Sequence, residues 1–116
     1  QAALDADLPF IPGVMTPSEV MRARDDGYRT VKLFPAAVAG GLAAIQALAG
    51  PLGDMKLCPT GGISPDNLAS FLKQPNVAMV GGSWLTPAEH VSHQNWTAIT
   101  QLAREATRLA QSVNHP

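Results

Sequence analysis

Two kinds of stretch in this chain carry residues that could do chemistry. In Thr30-Val-Lys-Leu-Phe-Pro-Ala36 a single lysine, Lys32, sits inside a run of strand-forming apolar residues. An ammonium is destabilised in low-polarity surroundings, and a neutral amine attacks a ketone to form a Schiff base. The protonated imine is then an electron sink for breaking or making the neighbouring carbon–carbon bond. Another reading is a cation whose stem lies along an apolar wall with its head in water, or which pairs with a buried acid. Spacing alone leaves both open.

The second kind is a pair of glycine doublets. Cys58-Pro-Thr-Gly-Gly62 follows a strand-like run and precedes Ser64-Pro65, the opening of a helix. Consecutive glycines there let backbone N–H groups approach an anion, and a following helix N-terminus adds positive potential. Gly81-Gly82-Ser83 repeats the device with Ser83 as a hydroxyl donor. A single Gly-Gly is often only a tight turn. Two of them on successive strand ends favour a phosphate site, since barrel phosphate sites are commonly built by the loops after the last two strands. Thr60 is then a hydroxyl in the pocket near Lys32, or a residue capping its loop.

The remaining reactive types read as structural. Cys58 has no partner cysteine and reads as a buried structural thiol suited to a reducing cytoplasm. His90, His93 and His115 come late, away from the strand ends, with no third ligand spaced for metal, and read as solvated. Trp84 and Trp96 read as packing residues, and Glu19, Asp25 and Asp26 as solvated charge on a helix.

The elements that must position these groups alternate. Leu8–Val14 reads as a short strand. A helix follows with Thr16 as cap, Pro17 at its first position, Glu19 three residues after the cap and Gly27 as the stop. The Thr30 run is the second strand, and Gly41–Leu48 is an apolar helix ended by Gly50-Pro51. Met55–Gly62 holds the third strand, and a helix capped by Ser64 with Pro65 at its start comes next. Asn76–Trp84 reads as the fourth strand. A helical turn at Pro87–His90 leads to an amphipathic helix from about Trp96 to Ser112, with Ile99, Leu102, Ala103, Ala106, Leu109, Ala110 and Val113 on one face.

Four strands without polar alternation, separated by helices, predict an α/β fold with a parallel sheet covered by helices. In such sheets reactive residues lie at the C-terminal strand ends, where the prolines and glycines of this chain concentrate. No strand is followed by the Gly-x-Gly-x-x-Gly dinucleotide fingerprint. Four βα units make half of an eight-stranded barrel, which needs about 200 to 250 residues. The pattern therefore fits a small open sheet or half a barrel, in a single unit spanning residues 1–116.

The bulk numbers narrow the classes. The chain has 116 residues, 46% hydrophobic and 15% charged, with a formal net charge of −1. There is no basic stripe for nucleic acid, and no apolar stretch nears the roughly 20 residues that span a membrane. It opens at Gln1 without methionine and reaches its first strand almost at once, which reads as a chain entered midway.

Taken together, PFIPGVMTPSEVMRARDDGYRTVKLFPA, GGLAAIQALAGP, KLCPTGGISPDNLASFL and VGGSWL closely resemble the C-terminal half of the 2-keto-3-deoxy-6-phosphogluconate (KDPG) and 4-hydroxy-2-oxoglutarate (KHG) aldolases, from about Leu8 to Ala110. The resemblance implies a TIM-type (β/α)8 barrel, of which this chain supplies the last four βα units. It implies class I aldol cleavage of the phosphorylated keto acid to pyruvate and glyceraldehyde 3-phosphate, without metal or cofactor, in cytoplasmic homotrimers. The family's Schiff-base lysine falls on Lys32. Its substrate- and phosphate-binding positions fall on Thr60, Gly61, Gly62, Gly82 and Ser83, with Phe34 and Pro35 beside the lysine. Many relatives read FPAE after the lysine, where this chain has Ala36-Ala37. The family's acid/base glutamate and carboxylate-binding arginine lie in the N-terminal half and have no match here, so the chain calls for a complementing half or pairs through its open sheet edges. Rival readings are another phosphate-binding barrel, such as an epimerase or a thiamine-phosphate synthase-like enzyme, and a non-catalytic half barrel.

Overall fold

The computed structural model describes residues 1–113, and His115 lies outside them. The chain runs α1 (Ala2–Asp5), β1 (Gly13–Val14), α2 (Pro17–Asp25), β2 (Thr30–Leu33), α3 (Gly41–Ala49), β3 (Lys56–Pro59), α4 (Leu68–Leu72), a 3-10 turn at Ser83–Leu85, α5 (Ala88–Ser92) and α6 (Trp96–Gln111). The strands form a parallel sheet in the order β1-β2-β3, the α/β arrangement that the alternation predicts.

Helix α2 is specified locally at both ends. The Thr16 side chain accepts from the Glu19 amide at 3.2 Å, and the Glu19 carboxylate accepts from the Thr16 and Met15 amides at 3.0 and 3.1 Å. This reciprocal cap satisfies donors that the first turn leaves unpaired. At the other end Tyr28 N–H donates to Ala23 O and Gly27 N–H to Arg24 O, the pair of bonds that closes a helix through a glycine. Glu19 is thus an exposed charge with a defined structural task.

The two longer strands alternate, which corrects the expectation of apolar residues on both faces. Val31 and Leu33 in β2 and Leu57 in β3 share one buried core with Val20 of α2, Ile45 of α3 and Leu68 and Phe71 of α4, and Pro59 of β3 is buried as well. Burying an aliphatic side chain of this size is worth about 1.5–3 kcal/mol, so this one-sided layer is the main support of the sheet. Lys32, Cys58 and Thr60 fall on the opposite face by the two-residue period and stay exposed or half-buried.

The expected first and fourth strands are reduced. Only Gly13–Val14 of the Leu8–Val14 run is a strand, extended by Lys32 N–H donating to Pro12 O. Pro9 and Pro12 have no N–H to give a ladder. Asn76–Trp84 forms no regular strand; it touches β3 through isolated bridges, Leu57 with Val77 and Thr60 with Gly81. Between those bridges it carries one residue more than β3 does, and that extra residue breaks the pairing.

The helices also depart in detail. A turn starts at Ser64, but α4 itself begins at Leu68 and has five residues. Helix α1 and the Ala88–Ser92 bounds of α5 were not legible, while α6 follows the expected bounds. On α6 Ile99, Leu102, Ala106 and Ala110 are half-buried and Val113 is buried, whereas Ala103 and Leu109 are exposed. Trp84 packs on the core as expected, but Trp96 is 57% exposed. His93 is exposed and His90 half-buried, and the described residues include no metal-ligand cluster.

Candidate active site

The strand ends converge as the sequence predicts. Lys32 is the penultimate residue of β2, and its register partners are Gly13 of β1 and Cys58 of β3. Side chains of paired residues in a parallel ladder point the same way, so Lys32 and Cys58 share the open face, and Thr60, two residues on, shares it too. The Thr60 hydroxyl donates to Cys58 O at 3.4 Å and stands 3.9 Å from Cys58 Sγ.

Of the two positions left open for Lys32, a low-polarity pocket or a head in water, the geometry gives the second. Its side chain is exposed, because the helices cover the Val31 and Leu33 face instead. Among the described residues Nζ has no ion pair or hydrogen bond; it lies 5.0 Å from the centroid of the Phe34 ring. Cys58, expected to be buried, is half-buried on the same face. Pro35 follows Phe34 through a cis peptide bond.

The loop after β3 is stitched to the loop after β2. Ala36 N–H donates to Thr60 O at 2.7 Å and Ala37 N–H to Gly61 O at 3.3 Å. Gly61 and Gly62 have φ of +96° and +78°, a region that side chains rarely adopt. A β-carbon on Gly61 would lie 3.1 Å from Pro35 Cα. Both glycines therefore have a structural reason to be glycine, beyond any ligand. Gly81 and Gly82 are also closely approached: Gly81 N–H donates to Pro59 O, a β-carbon there would lie 2.9 Å from Thr60 Oγ1, and a β-carbon on Gly82 would overlap the Trp84 ring. Among the described residues the Gly62 and Gly82 N–H groups donate to no protein acceptor.

Asn67 is a residue that the motif reading passed over. Its amide nitrogen donates to Gly62 O at 2.8 Å, and its Oδ1 accepts from Ser64 N–H at 2.8 Å. It pins the glycine loop from below. The signal was the Asn three residues after Ser64, a short polar side chain able to close a turn on the backbone. Because α4 starts only at Leu68, a helix N-terminus does not abut the glycine pair, and the anion donors offered there are loop amides.

Ser83 opens the short 3-10 turn with its side chain exposed. The structure thus brings Lys32, Phe34, Pro35, Thr60, Gly61, Gly62, Gly82 and Ser83 to one edge of the sheet, on successive loops. An open amine lies beside a hydroxyl and loop amides, an arrangement suited to a carbonyl compound that also carries an anionic group.

The chain is also similar to known proteins. The chain is 48% identical over 114 residues to a 2-dehydro-3-deoxy-phosphogluconate aldolase of Pseudomonas aeruginosa, a match covering 97% of this chain and 52% of the relative. Its fold superposes with a TM-score of 0.83 and 41% identity on a KDPG aldolase from Legionella pneumophila, solved with pyruvate captured as a covalent carbinolamine intermediate; 97% of this chain and 52% of that one are covered. A 2-keto-3-deoxy-6-phosphogluconate aldolase of Zymomonas mobilis, solved with 3-phosphoglycerate, gives 0.82 and 35% identity over 97% of this chain and 51% of the other. The chain spans about half the length of the relatives it matches. A family model described as KDPG and KHG aldolase matches residues 1–102, and the chain belongs to that family.

Proposed function

We propose that the chain is the C-terminal half of a (β/α)8-barrel class I aldolase, with Lys32 as its Schiff-base residue. The observation that carries this is the placement of Lys32 on the uncovered face at the C-terminal edge of the sheet, beside Thr60 and the two glycine loops. In a closed barrel that face is the interior, so the exposure of Lys32 here is what a half barrel would show. The carbinolamine in the Legionella relative is the addition product that such an amine gives with pyruvate.

The substrate is 2-keto-3-deoxy-6-phosphogluconate, with 4-hydroxy-2-oxoglutarate as a second one. The amine adds to the keto carbon, water leaves, and the protonated imine draws the electrons of the C3–C4 bond as the C4 hydroxyl loses its proton. Glyceraldehyde 3-phosphate departs, or glyoxylate from the smaller substrate. The enamine then takes a proton and is hydrolysed to pyruvate. Gly61, Gly62, Gly82 and Ser83 hold the phosphate, and Thr60, Phe34 and Pro35 line the keto-acid end. The base for the C4 proton and the cation for the carboxylate come from the complementing half. Complete subunits assemble as trimers in the cytoplasm, where the unpaired Cys58 stays reduced. No helix among the described residues is long and apolar enough to cross a membrane.

Pyruvate with sodium borohydride tests the reading. A reduced adduct localised to Lys32 by peptide mass spectrometry is expected, and Lys32→Arg, which cannot form an imine, should give none. No adduct, or one on Lys56 or Lys73, overturns it.

A further inference from the structure

Among the described residues Lys32 Nζ makes no hydrogen bond or ion pair, and the Phe34 ring lies against it with 5.0 Å between the nitrogen and the ring centroid. That distance is within the range of cation–π attraction, about 6 Å. The ion pairs found are Arg22 with Asp26 at the end of α2 and Arg24 of α2 with Asp54 in the turn before β3, and neither involves Lys32. Phe34 is 50% exposed and belongs to no core cluster. An aromatic ring half out of the core, beside the reactive nitrogen, contributes little to packing.

We infer that the face of the Phe34 ring is an electrostatic platform for the cationic imine formed at Lys32, and that it speeds imine formation by meeting the positive charge as it develops. The inference rests on the Schiff-base reading above. The neutral amine forms a bond from Nζ to the keto carbon, and the carbonyl π pair moves to oxygen, which takes a proton from nitrogen. An added proton then lets that oxygen leave as water, and the nitrogen lone pair forms the N=C double bond. Along the step from the neutral amine to the protonated imine, nitrogen gains a positive charge. The attraction of the ring quadrupole therefore grows along the step, and interactions stronger in the transition state accelerate it.

The test is the initial rate of borohydride-trapped pyruvate adduct at Lys32 in a series at position 34, taken at a pH above the ordinary lysine value of about 10.4 so that loss of an ammonium proton does not enter the comparison. Progressive fluorination (4-fluoro-, 3,5-difluoro- and 3,4,5-trifluorophenylalanine) drains the ring face with little change in shape. 4-Methylphenylalanine enlarges the ring while keeping its electron density. The rate should fall stepwise to about two- to fivefold below wild type at the trifluoro ring, as expected for an exposed cation–π contact. The methyl variant should lose less of the rate than the trifluoro ring does, and Phe34→Leu should match or fall below the trifluoro ring. A flat fluorination series with normal wild-type trapping overturns the platform alone. A rate that drops equally for the methyl variant does so too, since it reports fit rather than charge. No adduct in any form, wild type included, overturns the Schiff-base reading and the platform with it.

Discussion

Gly62 lies so close to Ala37 that a β-carbon on Gly62 would stand 2.8 Å from the Ala37 β-carbon. The loop that follows the Lys32 strand and the loop of the glycine doublet are thus fitted to each other, independently of any ligand. Gly62→Ala should destabilise the protein by about 1–3 kcal/mol, from the positive φ together with the clash. The double variant with Ala37→Gly should recover the clash component only, which denaturant midpoints of the four proteins would reveal. Equal loss in single and double variants would mean that the loops are not in contact.

Lys32 and Leu33 are neighbours with opposite fates. Lys32→Ala should abolish the pyruvate adduct while shifting stability within about 0.5 kcal/mol, as surface substitutions do. Leu33→Ala, which empties a site in the helix-facing layer, should cost about 2–5 kcal/mol. Thermal unfolding of the two variants checks this. A large loss from Lys32→Ala would put the lysine in the core after all.

The Glu19 carboxylate is held below the usual carboxylate range, first by the Met15 amide and then by the Thr16 hydroxyl and amide. A carboxylate whose folded value is depressed contributes stability that is fully present above its unfolded value and is lost as pH falls through the folded one. Wild type should therefore lose stability on acidification through and below the ordinary glutamate range more steeply than Glu19→Gln. Urea midpoints taken across that range in both proteins would show the difference, and parallel curves would contradict it. Thr16→Ala, which removes the other half of the cap, should cost about 1 kcal/mol at neutral pH.

Asn76 is buried at 5% exposure and donates from Nδ2 to Ile45 O at 2.9 Å, while its Oδ1 meets no partner among the described residues. Asn76→Ala should cost about 1–3 kcal/mol through the lost hydrogen bond to the Ile45 carbonyl and the space left in the core. Asn76→Asp should cost more at neutral than at acidic pH, because an ionised carboxylate would then face that carbonyl without solvent. Guanidinium denaturation at two pH values separates the outcomes.

What was legible in the residues was local. The Thr16–Glu19 cap and the Gly27 stop depend on neighbours a few positions away and were read correctly in place. The side of the sheet on which Lys32 lies was not, because Val31, Leu33 and Phe34 look apolar whichever face they occupy, and only the packing of α2, α3 and α4 decides. The loss of the fourth strand was equally hidden. Asn76–Trp84 has strand-forming residues, but its pairing with β3 carries one residue too many between Val77 and Gly81. Asn67 escaped notice because its work is in two backbone hydrogen bonds, which leave no mark in a search for reactive side chains.

The two-residue period of β2 also limits how the gene can change in length there. Deleting or inserting a single residue between Thr30 and Lys32 would exchange the two faces, swinging the amine under the helices and turning a valine or leucine outward. One slip would cost the core and the nucleophile together. Length variants that persist in this segment should therefore differ by two residues, or should restore the phase within the same strand.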